Sequence, residues 1–416
     1  MSNALNTLRD SAWRTFEVDG LPTTRDEDWK YTDLSRISAM LGESWWQAEA
    51  GEAVTADGMT IPDLNAWRLV INNGRFDGVV SDLPESIEVR SLASLLQDEP
   101  EKTVELMMDD SDAPFASGIT ALNTAKASDG CCICVPKGVK LERPLHILHI
   151  GSGGAAHTRT GFEIGTHAEV EIIEQFCGQS ESAGLTNNVT AIRLAAGAKC
   201  EHYRLQLEGD KQCHLGRVEV SQKRDSNYTL HAVELGAVLS RVDVVNGLNE
   251  SGAECELNGL FVLSGRQHVD HHTRIAHEVP HCRSRENYRT VLDGRSHGVF
   301  NGKVVVAEGA IKTDSAQSNA NLLLSDRAEI DTKPELEIYN DDVKCAHGAT
   351  VGQLDKNQLF YLKSRGLSEE EAKQLLTFAF ADEILARMGN MAVRRFIERE
   401  AFAKLPNISG LEGMLV

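Results

Sequence analysis

The chain has 416 residues, of which 62 are acidic and 42 basic, so its formal net charge is −20. It is 41% hydrophobic and 25% charged, which is typical of a globular protein with a large buried core. The acidity argues against a nucleic acid or an anionic membrane as a partner, because both require a local excess of Lys and Arg.

Residues 1–110 are predicted to form an N-terminal domain of mixed, partly helical structure. Polar turns alternate there with short apolar segments, of which 91–96 and 102–108 have a helical pattern. This pattern differs from the short β-branched runs of the next segment.

Residues 111–350 are predicted to form a mainly β core, a parallel β-helix (β-solenoid). Short β-branched runs are separated by glycine turns, and few helical patterns interrupt them. A small residue recurs at Ala168, Ala198, Ala253 and Ala328, at spacings that we interpret as one, two and three coils of roughly 25 to 30 residues. A β-sandwich is the competing interpretation.

Residues 351–416 are predicted to form a C-terminal helical domain with three helices. Asp355 is placed to cap the first helix, and Ser368 with Glu371 forms a capping box for the second. Pro406 ends the third helix. Because the last coil of a solenoid exposes its core, we expect this bundle to close the end of the array.

The sequence shows neither a membrane-spanning run nor a secretion leader. No segment approaches roughly 18 consecutive apolar residues, and residues 1–16 lack a basic start followed by an apolar run. The nine scattered cysteines are an odd number, which favours reduced thiols over a disulfide framework. These features predict a cytoplasmic protein.

A histidine-rich segment is the densest group of potential metal ligands. On a strand, His268, Asp270 and His272 point to one face and His271 to the other. Such a face is able to bind Zn²⁺ or Fe²⁺. The preferred interpretation is a row of polar side chains that hydrogen-bond one another, and the metal site remains the alternative.

Cys345 and His347 lie where the predicted solenoid ends and the helices begin. They are two residues apart, so on an extended chain their side chains point the same way. A thiolate beside an imidazole is suited to a soft metal or to sulfur chemistry. A purely structural role for the pair is the other interpretation.

Several motifs resemble the SufB/SufD family of iron–sulfur cluster assembly proteins, and its SufD branch in particular. They span most of the chain and are nearly contiguous over 260–385. The motifs are residues 21–32, 300–306, 321–326, 333–339, 342–352 and 359–366.

The resemblance implies a right-handed parallel β-helix between an N-terminal domain and a C-terminal helical domain. It also implies a non-catalytic cytoplasmic scaffold that pairs with a SufB-like subunit at the C-terminal end of the β-helix. Each of the two subunits then carries a SufC-like ABC ATPase on its helical domain. The lack of a phosphate-binding G-x-x-x-x-G-K motif agrees with ATP hydrolysis by a partner. A homodimer is a further expectation for the chain alone.

The resemblance implies that Cys345 and His347 match the interface motif, with His347 the favoured residue for cluster assembly. We expect no cofactor bound stably by the isolated chain, a transient iron or iron–sulfur cluster shared with the partner, and a role in iron acquisition. For ATPase docking we expect the outward face of the second and third helices, around Phe378, Phe380, Glu383 and Arg387.

Two other functions are considered. A SufB-type, cluster-bearing paralogue is disfavoured because residues 317–321 contain no cysteine where SufB carries one. A carbohydrate-active β-helix enzyme is disfavoured because no pair of carboxylates stands out and no secretion leader is present.

Overall fold

The computed structural model describes residues 3–79, 82–101, 118–178 and 183–404. Successive strands alternate between two sheets that face each other, and parallel pairing stacks each coil on the preceding one. The antiparallel pairs in the described residues lie at the N-terminal end, where Trp67–Asn72 pairs with Arg75–Val79 and Glu88–Ser91 pairs with Asp129–Val135. The predicted parallel β-helix is therefore confirmed.

The first sheet has ten strands in the order β19-β17-β15-β13-β11-β9-β7-β5-β1-β2. Its strands are β1 (Trp67–Asn72), β2 (Arg75–Val79), β5 (Leu145–Gly151), β7 (Glu169–Gly178), β9 (Lys199–Gln206), β11 (Asn227–Glu234), β13 (Glu254–Leu263), β15 (Arg283–Leu292), β17 (Asp314–Leu323) and β19 (Lys344–Gly352).

The second sheet has nine strands in the order β18-β16-β14-β12-β10-β8-β6-β4-β3. Its strands are β3 (Glu88–Ser91), β4 (Asp129–Val135), β6 (Gly154–Ile164), β8 (Gly184–Leu194), β10 (Gln212–Gln222), β12 (Leu239–Leu248), β14 (His268–His277), β16 (His297–Val306) and β18 (Glu329–Ile338).

The alternation of side chains along each strand builds two cores from one chain. In β7, Val170 and Ile172 point inward and join the central core between the sheets. Ile173 points outward and packs under the C-terminal helices. Strands that are buried on both faces therefore read as nearly continuous apolar runs in the sequence.

The coil length follows from the register of the first sheet. Positions 199, 227, 254, 283, 314 and 344 pair in succession, so one coil takes 27 to 31 residues. Ala168, Ala198 and Ala253 precede strands of this sheet, whereas Ala328 precedes β18 in the other sheet. The interpretation of the last spacing as three coils is therefore wrong, since it covers two and a half.

The N-terminal segments cover the outer face of the nine-stranded sheet. Phe16, Trp29 and Trp45 pack there against Leu185 and Leu215. The helical pattern predicted over 91–96 is confirmed, whereas the one over 102–108 lies outside the described residues. The helices are α1 (Asn3–Asp19), α2 (Ser35–Leu41), α3 (Leu92–Asp98) and α4 (Gly118–Lys126), with 3-10 turns at Glu27–Trp29 and Trp45–Gln47.

The C-terminal helices are α5 (Lys356–Ser364), α6 (Glu369–Leu385) and α7 (Met391–Lys404). The predicted capping box of Ser368 and Glu371 is present at the start of α6. Ile384 on α6 and Val393 on α7 pack on the outer face of the ten-stranded sheet, against residues such as Leu260. The expectation that the bundle closes the end of the solenoid is wrong, because the helices lie along its side.

The strands β1 to β3 fall within the range predicted as an N-terminal domain, yet they already pair with strands of the two sheets. The boundaries at residues 110 and 350 stay predictions. Throughout the part of the chain that the structure describes, no helix has the length and apolar character that crossing a membrane requires.

Candidate functional site

The C-terminal end of the β-helix is an uncovered tip formed by β18 and β19. Each is the edge strand of its sheet. Strands in the middle of the array are almost fully buried, whereas β18 is half-buried and β19 is exposed along nearly its whole length. The tip also exposes Tyr339 and Val351, at 63% and 51% of their surface. An open strand edge with apolar side chains is a surface on which another chain is able to pair.

Cys345 and His347 lie on β19 at inward positions of this last coil. Cys345 pairs in register with Ser315, and His347 pairs with Gln317. Residues paired in register on parallel strands point to the same side, so the thiol and the imidazole continue the inward rows of the coils beneath. Since no further coil follows among the residues that the structure describes, they form part of the end face of the β-helix.

The surroundings of the two side chains differ. Cys345 is half-buried and packs against the small tip core of Val304, Val306 and Ala310. Burial raises the pKa of the Cys345 thiol, so a bound cation or a neighbouring base is needed to form the thiolate. His347 is exposed, and its side chain has no hydrogen bond to any described residue.

Deeper in the β-helix, buried charged side chains pair within the ten-stranded sheet and across to the facing sheet. Arg204 Nη1 donates to Glu234 at 2.7 Å, and His271 Nε2 lies 3.1 Å from the same carboxylate. Burial alone raises the pKa of Glu234, but the contacts with His271 and Arg204 outweigh it and lower this pKa to about 2. The pairing of these fully buried groups offsets the cost of their burial.

The histidine-rich segment forms β14 and divides between the two faces as its alternation predicted. His271 points inward, while Asp270 on the outer face accepts hydrogen bonds from Thr32 and, at 2.6 Å, from Arg241. His272 Nε2 lies 3.1 Å from Asp270. These contacts fasten the N-terminal segment to the nine-stranded sheet. Across the described ranges, no three His, Cys, Asp or Glu side chains are arranged to hold a metal ion.

The four residues predicted to dock an ATPase all lie on or just after α6, and each contacts this chain. Phe378 stacks on Phe402, with ring centroids 4.5 Å apart. The other three contact the ten-stranded sheet: Phe380 lies under the Arg289 guanidinium, Glu383 forms an ion pair with Arg289, and Arg387 lies 3.0 Å from Glu256.

Helix α5 was predicted from the sequence, but its exposure was missed. None of the residues of α5 is buried, and Phe360 and Tyr361 expose 74% and 55% of their surface. The sequence did contain a sign of this exposure. Two aromatic residues are adjacent on a short helix whose apolar positions form only a weak stripe, so both cannot face the core. The C-terminal region thus presents a free apolar surface on α5 beside the side chains that fasten α6 to the sheet.

The sequence matches two family models. Residues 147–380 match the core domain described as "SUF system FeS cluster assembly, SufBD core domain". Residues 1–147 match the "SufBD protein N-terminal region".

Three relatives match over most of their own length. The chain is 33% identical over 380 residues to the iron–sulfur cluster assembly SufBD family protein slr0076 of Synechocystis, covering 88% of this chain and 83% of the relative. It is 32% identical over 400 residues to the iron–sulfur cluster assembly protein SufD of Escherichia coli, covering 93% and 90%. It is 29% identical over 408 residues to the chloroplastic protein ABCI7 of Arabidopsis thaliana, covering 94% and 84%.

These matches confirm the resemblance that the motifs carried. One family model covers more than half of the chain, and relatives above 30% identity are matched over most of their length. The chain belongs to the SufBD family of iron–sulfur cluster assembly proteins.

Proposed function

We propose that this chain is the SufD-type scaffold subunit of an iron–sulfur cluster assembly complex. In this proposal it pairs through its tip with a SufB-like subunit in the cytoplasm and has no catalytic activity of its own. The observation that carries the proposal is the uncovered end of the β-helix, where Cys345 and His347 occupy the last inward row.

Iron and the growing cluster are the substrates of this site. A thiolate and an imidazole both suit iron, and two such ligands leave coordination positions for sulfide and for the partner's side chains. Because this chain supplies only two ligands, the coordination of a cluster is incomplete without the partner, and in this proposal the isolated chain does not hold a cluster stably. The site is completed only by pairing, and it accepts iron there during assembly.

A SufC-like ATPase docks on the C-terminal helices in this proposal. Glu383 and Arg387 remain in the docking surface because 59% and 44% of their side-chain area is exposed. The exposed α5 residues Phe360 and Tyr361 add the apolar contact that a stable interface needs.

Movement of the ATPase has a direct mechanical route to the tip. Arg289 on β15 contacts both Phe380 and Glu383 of α6. From β15, pairing continues to β17 and then to β19. A nucleotide-driven pull on α6 is thereby transmitted to the strand that carries His347.

The SufB-type alternative is ranked below this assignment. It is disfavoured because Gln317 and its neighbours through residue 321 provide no thiol on β17.

We also propose that the chain forms a homodimer through the same tip when its partner is missing. The exposed edge strand of one copy is able to pair with the same edge strand of a second copy.

The experiment that tests the proposal replaces His347 by Ala in the complex. We expect the fraction of a co-expressed ferredoxin that carries its cluster to fall about tenfold or more, while the complex still co-purifies. His167→Ala is the matched control, since His167 is an exposed histidine on a turn before β7. A normal cluster fraction with His347→Ala would contradict the site.

A further inference from the structure

Three inward residues stand in one column that ends at His347. Glu286 on β15 pairs in register with Gln317 on β17, and Gln317 pairs with His347 on β19. Glu286 and Gln317 are 1% and 4% exposed, whereas His347 is exposed. The column therefore runs from the closed interior to the end face.

The Gln317 amide is held in place by its surroundings. Its Nε2 donates to Glu286 Oε2 at 2.6 Å. On the facing strand β16, Gly302 leaves the space that the amide occupies, since a Cβ there would collide with Gln317 Nε2. The glutamine is thus clamped from below by Glu286 and packed from the side by a residue without a side chain.

The other end of the amide is unsatisfied. Gln317 Oε1 is buried and has no hydrogen-bond partner among the described residues. A buried acceptor without a partner is unfavourable, so a donor that reaches it stabilises the site. The next residue up the column is His347, whose ring offers an N–H donor and whose side chain has no hydrogen bond to a described residue.

We propose that Gln317, clamped by Glu286, is the positioning residue of His347: its carbonyl oxygen accepts a hydrogen bond from one ring N–H and leaves the other ring nitrogen free for iron. A histidine that binds a metal usually donates its second ring nitrogen to a carbonyl or carboxylate, which fixes its tautomer and orientation. The inference rests on the proposed role of His347 and adds the group that orients it.

The test compares four complexes: unaltered, Gln317→Met, His347→Ala, and the double variant. Methionine keeps the volume of glutamine and removes its polar atoms. We expect Gln317→Met to lower the cluster-loaded fraction of a co-expressed ferredoxin about tenfold, and the double variant to match His347→Ala. An unchanged fraction in Gln317→Met, or full additivity in the double variant, would overturn the inference.

A second readout separates positioning from packing. In the complex labelled with ¹⁵N-histidine, the His347 ring signals are those missing from His347→Ala. In Gln317→Met, these ring signals should become those of a mixture of the two tautomers. Gln317→Glu keeps an acceptor oxygen, so it should retain a single tautomer and most of the cluster output. Unchanged His347 signals in Gln317→Met would also overturn the inference.

The matched control is Gln222→Met, which removes another buried amide, one that donates to Glu254 O at 2.9 Å several coils away from the tip. It should leave cluster output intact, and an equal loss of output in this variant would overturn the inference.

The proposed function and the positioning role of Gln317 are contradicted by different results. Normal output in His347→Ala contradicts the proposed function, whereas low output in His347→Ala with normal output in Gln317→Met contradicts the positioning role alone.

Discussion

Glu286 couples the folding of this chain to pH. Burial raises the pKa of its carboxyl to about 7, although the hydrogen bond from Gln317 opposes the shift. The folded state therefore favours the protonated form. Its contribution to stability is fully present below the unfolded pKa, near 4.5, and is lost as the pH rises through about 7.

Replacement of Glu286 by Gln should remove this dependence, because glutamine resembles the protonated carboxyl and does not titrate. We expect the variant and the unaltered chain to have similar melting temperatures at about pH 4.5, and the variant to melt a few degrees higher at about pH 8. Thermal unfolding of both proteins across that range measures the difference. A difference independent of pH would show that Glu286 does not titrate in this window.

For individual residues, the sequence predicted which side chains point to the same side of a strand but not which side chains they contact. Alternation placed Cys345 and His347 on one side of a strand, and the structure has both at inward positions. It did not reveal that Gln317 lies beneath His347. That relation depends on the exact length of the coil between them, which varies from 27 to 31 residues and is set by packing at the corners.

Helix α5 carries the exposed apolar surface on which the proposed ATPase docking depends. Replacement of Phe360 by Asp should reduce co-purification of the ATPase about tenfold or more, because it places a charge in the centre of the proposed apolar contact. Binding of the SufB-like subunit should remain. Val18→Asp is the control, since Val18 is 83% exposed on α1. Undiminished ATPase binding in Phe360→Asp would move the docking surface away from α5.

Element boundaries were predictable where local chemistry defines them. Asp355 caps α5, and the reciprocal hydrogen bonds of Ser368 and Glu371 begin α6, as the sequence indicated. The position of α6 was not predictable in the same way. Its apolar face shows that it packs on something, but the outer face of the ten-stranded sheet and the open end of the solenoid are equally apolar partners from the viewpoint of the helix.

The whole molecule is a stacked array with covered sides and an uncovered end. The N-terminal segments lie on one sheet, and α6 with α7 on the other. The β-helix itself was predictable because turns and small residues recur, but the fourth repeat position was misassigned by half a coil. A spacing alone does not tell which of the two sheets a strand joins.

In the proposed complex, the SufB-like subunit docks on the tip of the β-helix. The most direct test places a photo-crosslinking amino acid at Val351 in the complex, with the same group at Val18 as the control. We expect a covalent adduct with the SufB-like subunit from position 351 and none from position 18. Efficient crosslinking from position 18, with none from 351, would contradict it.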